Sequence, residues 1–148
     1  MSLPILHNDI LPLSNELKVR LCASIELCVI PKEAKRIAHN FRNAQYYQTG
    51  HGPHPIEVHL ARDTSESPWH IAVMASFAYP DKQSTQMEVQ LYFNFRHGWF
   101  YQPDIERCDI EQPQVIELFK SWDKAFVKLL NNKGFNQLTL TILKTLLP

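Results

Sequence analysis

The sequence predicts an α+β fold, an antiparallel meander of strands with helices on one face. Three observations lead there. Apolar residues recur at three- and four-residue steps near the start and again after residue 113. Between these two regions they recur at every second residue. No helical segment separates the middle strands, as parallel βαβ units would require.

The elements follow in order. Residues 3 to 13 carry apolar residues and prolines without a period and read as an extended lead-in. Ser14 is a good N-cap, and Leu17, Leu21, Ile25 and Cys28 then form one helical face. Pro31 stops that helix or begins the next segment. "EAKRIAHNFRNAQYY" stays open: Ala34 and Lys35 favour helix, while Ile37, His39 and Phe41 alternate like a strand. Ile56, Val58 and Leu60 alternate with Glu57, His59 and Ala61 in the next strand. "DTSESP" is a loop, and 69 to 79 is a strand with Trp69, Ile71, Val73, Ala75, Phe77 and Tyr79 on one face. After the turn "PDKQST", 86 to 96 is a strand with Met87, Val89, Leu91, Phe93 and Phe95 buried. His97-Gly98 turns the chain into the short strand "WFYQ". "DIERCDIEQP" reads as a polar loop that closes the strand region. Pro113 opens a long helix with a stripe of Val115, Leu118, Phe119, Trp122, Phe126, Leu129 and Leu130. Gly134 ends it, and "NQLTLTIL" is a final strand.

Bulk properties exclude several function classes. The 148 residues suit a single domain spanning 1-148. Apolar residues make up 45% and charged residues 20%, as in an ordinary folded globule. Lys and Arg number 15, and so do Asp and Glu, so the electrostatic case for nucleic acid or an anionic membrane is missing. No apolar run is long enough for a membrane span. The N-terminus lacks the pattern of a signal peptide. Cys22, Cys28 and Cys108 are odd in number and contain no Cys-x-x-Cys, which points to free thiols in a reducing cytoplasm.

The stretch "HNFRNAQYYQTGHGPHPIEVHL" resembles the signature of a bacterial family, domain-of-unknown-function 2787. The matching residues are Asn40, Phe41, Arg42, Tyr46, Gly50, His54, Pro55, Ile56 and Glu57. "ELFKSWDKAF" and "GFNQLTLTIL" resemble the family's C-terminal part. The resemblance implies a fold similar to the mitochondrial globular-head C1q-binding protein, an oligomeric binding protein that is strongly acidic, unlike this chain. It also implies a strand at 35 to 42, with 46 to 55 as the loop after it. Taken together, the expectation is an α+β fold: a twisted antiparallel sheet of about 5-7 strands with an N-terminal and a long C-terminal helix packed on it.

Candidate sites are few. "QTGHGPHPIEVHL" holds His51, His54 and His59, with Glu57 on the face of His59. If the loop folds back, these are potential zinc ligands or acid–base groups. Alternatively Gly50, Gly52, Pro53 and Pro55 shape a turn that His54 fixes by a hydrogen bond, leaving His51 and His59 incidental. The turn is the reading favoured by the absence of a second ligand cluster. Cys108 beside Arg107 lacks a base in sequence reach, and Asp104, Glu106, Asp109 and Glu111 lack a cation-loop pattern. "YFNFRHGWFY" offers Tyr92, Arg96, Trp99 and Tyr101 as an aromatic and cationic contact surface. It does not match the sheet motif of RNA-binding modules. No phosphate loop, dinucleotide fingerprint or nucleophile elbow is present.

The expected function is therefore binding without catalysis. The partner would be another protein or a second copy of the chain, met through a sheet face or edge at Arg42, Tyr46, His54, Glu57, Tyr92, Arg96, Trp99 and Tyr101. No cofactor is expected. The alternatives are a metal-dependent or acid–base enzyme at His51, His54, His59 and Glu57, and a single-strand nucleic-acid binder using 92 to 101.

Overall fold

The computed structural model describes residue 5 and residues 11 to 146, so most of the lead-in expected at 3 to 13 lies outside the described residues. Helix α1 (Asn15–Glu26) starts where Ser14 caps it, the Ser14 Oγ accepting from the Leu17 N–H at 3.2 Å. Its buried face is Leu17, Leu21 and Ile25. The first part of the ambiguous stretch is strand β1 (Ala34–Arg42). Both of its faces are buried, which is why alternation alone did not settle it.

Two expectations need correction. Residues 46 to 55 are not all loop, because Ala44–Thr49 forms a short helix, α2. The Asn43 side chain accepts from the Gln45 N–H, and Gly50 closes the turn at φ 74. The second correction concerns "DIERCDIEQP". After β2 (Ile56–Ala61), β3 (His70–Ala78), β4 (Glu88–Asn94) and β5 (Trp99–Gln102) comes β6 (Glu106–Asp109), which pairs with β5 and is no loop. Only the Cys108 side of this edge strand meets the core, so four polar-looking residues give no periodic signal. Cys108 is thus a core-side residue opposite Phe100.

The sheet runs in the order β6-β5-β4-β3-β2-β1-β7, with every neighbouring pair antiparallel. Strand β7 (Gln137–Thr145) returns beside β1, and helix α3 (Pro113–Asn131) carries the chain from one edge to the other. Its 19 residues span about 28 Å at 1.5 Å per residue. Crossing from the first strand to the last takes six strand spacings, roughly 29 Å. The aromatic contacts track that crossing: Phe119 meets Phe93 and Phe95, and farther along Phe126 meets Phe41 of β1.

Helices α1 and α3 share one face of the sheet, where Leu17, Ile37, Phe41, Leu60, Met74, Phe93 and Phe119 belong to one buried cluster. Ser14 ties the two helices together. Its Oγ–H donates to Asp123 at 2.6 Å and its N–H donates to the other carboxylate oxygen at 2.8 Å. Among the described residues, no helix is long and apolar enough to cross a membrane.

Candidate functional site

The opposite face of the sheet is built by alternation, and register fixes which residues share it. Two cross-strand rows stand out. One runs Asn40, Glu57, Ala75, Tyr92, Tyr101 and Arg107; the next runs Ala38, His59, Val73, Asn94, Trp99 and Asp109. No helix residue belongs to the small buried cluster on this side, Ala72, Val73 and Ala75, against which Ala61, Phe77 and Tyr92 pack. The central strand presents small residues and its neighbours present large ones. That explains why Val73 and Ala75 are fully covered without a helix above them.

The aromatic half of this face is pre-arranged. Tyr92 and Trp99 stack with ring centroids 5.2 Å apart, and the Arg107 guanidinium lies 4.5 Å from the Trp99 ring centroid. Burial raises the Tyr92 pKa above the ordinary tyrosine value, with Arg36 opposing and Glu57 adding to the rise. Hence Tyr92, Arg36 and Glu57 lie within electrostatic reach of one another. Burial likewise raises Tyr47, with Arg42 opposing it. Two buried polar atoms here have no hydrogen-bond partner, His59 Nδ1 and Arg36 Nε.

The three histidines go to different places. His54 Nδ1 lies 3.0 Å from Gln90 Oε1, and its ring packs 4.9 Å from that of Tyr46. His59 Nε2 lies 2.9 Å from Glu57 Oε1. His51 is exposed, and its own N–H donates to Thr49 Oγ1. Among the described residues, no group of three or more His, Cys, Asp or Glu side chains is placed to hold a metal ion. Tyr46 is buried, its hydroxyl accepts from the Tyr79 N–H at 2.9 Å and its ring stacks on Tyr79. Arg42 shares the face of Asn40 and Glu57, whereas Arg96 stands in the turn after β4. So Glu57, Tyr92, Trp99 and Tyr101 come together across the sheet, Arg42 lies toward its rim, and Tyr46 and His54 buttress the α2 end.

Residues 13–141 match the family model described as "Protein of unknown function (DUF2787)". The chain belongs to the DUF2787 family. Its fold is also that of solved proteins. The hypothetical protein VC0508 from the VSP-II pathogenicity island of Vibrio cholerae is 24% identical, with a TM-score of 0.78 over 90% of this chain and 95% of that one. VC1805 from pathogenicity island VPI-2 of Vibrio cholerae is 24% identical, with a TM-score of 0.72 over 92% of this chain and 100% of that one. VC1805 is described as sharing structural homology with the human P32 protein. At this identity the likeness concerns the fold alone. The chain matches no curated protein.

Within this DUF2787 chain, sequence reasoning missed Arg36 and Asn94 on the face opposite α1 and α3, and met Asn40 only as part of the family signature. Asn40 donates to Thr139 and Thr141 on β7, and Asn94 accepts from the His97 N–H. The polar phase of β1, Arg36-Ala38-Asn40-Arg42, was the available signal once that segment was read as a strand.

Proposed function

We propose that the protein is a non-catalytic, cytoplasmic binding protein whose sheet face opposite α1 and α3 meets a protein partner or a second copy of the chain. The observation that carries this reading is the stacked Tyr92–Trp99 pair, held over small central residues and flanked by Arg107 and Tyr101. Tyr, Trp and Arg dominate the energetics of protein contacts; the two rings offer a large area at low entropic cost, and the planar guanidinium stacks and donates hydrogen bonds. Stacking holds the two rings in place before a partner arrives, which reduces the ordering cost of binding. The three free cysteines, none fully exposed, suit a reducing compartment.

A photo-crosslinking amino acid placed at Trp99, and as a control at Lys120 on α3, tests the reading in cells. Adducts of discrete mass are expected from position 99 and not from 120. Equal labelling at both positions, or none at 99, removes the proposal.

A further inference from the structure

At the end of the sheet where β1 and β3 begin and β2 and β4 finish lies a pocket of about 360 Å³. Its lining gathers Lys35, Arg36, Arg62, Arg96 and Lys144, with Asp63 as the sole carboxylate. This concentration is notable in a chain of zero formal net charge. Arg62 is committed elsewhere: its guanidinium donates to the carbonyl oxygens of Ala34, Ser65, Pro31 and Lys32 and lies over the Trp69 ring. The other four cations have no carboxylate within ion-pair distance among the described residues, where the pairs are His59–Glu57 and Lys120–Glu117. Arg36 Nε is buried and lacks an acceptor.

We infer that this pocket binds a small phosphate-bearing anion. Like charges gathered around a concavity repel one another and raise the local concentration of counter-ions. A hydrogen bond from a guanidinium or ammonium group to a phosphate oxygen is charge-assisted and stronger than one between neutral groups. Arg36, Lys35, Arg96 and Lys144 all line the pocket and supply charge to it. The volume suits a phosphate monoester or inorganic phosphate and is at the small end for ligand sites. A phosphate needs several donors from different directions, and these come from β1, the turn after β4, and β7. The inference does not rest on a partner meeting the aromatic platform across β4 and β5, although Arg36 lies within electrostatic reach of Tyr92.

Isothermal titration of the whole protein at low ionic strength, with inorganic phosphate and then pyrophosphate as probes, tests it. Saturable one-to-one binding is expected, weakened about tenfold or more by Arg36→Gln and by Arg96→Gln. Lys120→Gln on α3 should leave it unchanged. Arg96 and Lys144 are exposed, so Arg96→Gln and Lys144→Gln keep the test decisive if Arg36→Gln fails to fold. Three results would each overturn the inference: no saturation by about 10 mM probe, a range reserved for very weak sites; equal loss in Lys120→Gln; or a single-stranded oligonucleotide that binds with a long, salt-steep footprint while phosphate alone does not. Competition by a phosphate monoester at lower concentration than phosphate itself would assign the ligand as an ester.

Discussion

At the scale of single residues, His39 shows how a polar group is placed inside the fold. It is buried in β1, with Nε2 2.6 Å from Ser24 Oγ, Nδ1 3.3 Å from the Thr139 carbonyl oxygen, and its ring 4.3 Å from Phe41. A carbonyl only accepts, so Nδ1 carries the hydrogen and Nε2 of the neutral ring accepts from the Ser24 hydroxyl. Burial lowers the His39 pKa below 6.5, and the Thr139 bond only partly offsets this. The folded state therefore binds this proton less readily than the unfolded state. His39 contributes full stability above 6.5, and that contribution falls as pH drops toward the lowered folded value. Urea midpoints measured from about pH 7 to about pH 5 should decline more in the native protein than in His39→Gln, and parallel declines would show that His39 is not responsible. For His54 the sequence raised the expectation of a hydrogen bond, because Gly and Pro around it shape a turn. Its acceptor Gln90, thirty-six residues away, was not legible, since only the sheet register brings the two side chains together.

At the scale of elements, the helices depend on one shared contact. Ser14 caps α1 and gives both its N–H and its O–H to Asp123 of α3. Ser14→Ala removes the cap and leaves the buried Asp123 carboxylate with one donor fewer. A loss of about 2 kcal/mol in chemical denaturation is expected, summing a typical cap with a charge-assisted hydrogen bond. Asp123→Ala should cost a similar amount, and the double variant less than the sum, as coupled partners require. Long periodic elements were readable from sequence because one face of each is buried: α3 and β2 are clear cases. Strand β6 was not, because it is short, lies at an edge and reads as polar. Strand β3 was readable as a strand but not as a two-faced one, since its second cover comes from the large side chains of β2 and β4.

At the scale of the whole molecule, the two sheet edges differ. β6 is four residues long, whereas β7 is nine and carries the exposed side chains of Leu138, Ile142 and Leu143 with Lys144 as its one charge. A long edge with exposed apolar residues invites strand addition by another chain. Ile142→Lys should lower any concentration-dependent association seen by sedimentation velocity and reduce aggregation on heating; an unchanged profile would place self-association elsewhere. The placement of β7 beside β1 has a second effect, on synthesis. β1 ends at Arg42 and its outer neighbour starts at Gln137, so roughly 95 residues must be added before that flank is closed, about 5–20 s of translation. During that interval β1 has β2 on one side and an open row of backbone donors and acceptors on the other. A chain stalled within α3 would present that open row to proteases and chaperones, so incomplete copies carry a recognisable mark that finished copies lose when β7 docks.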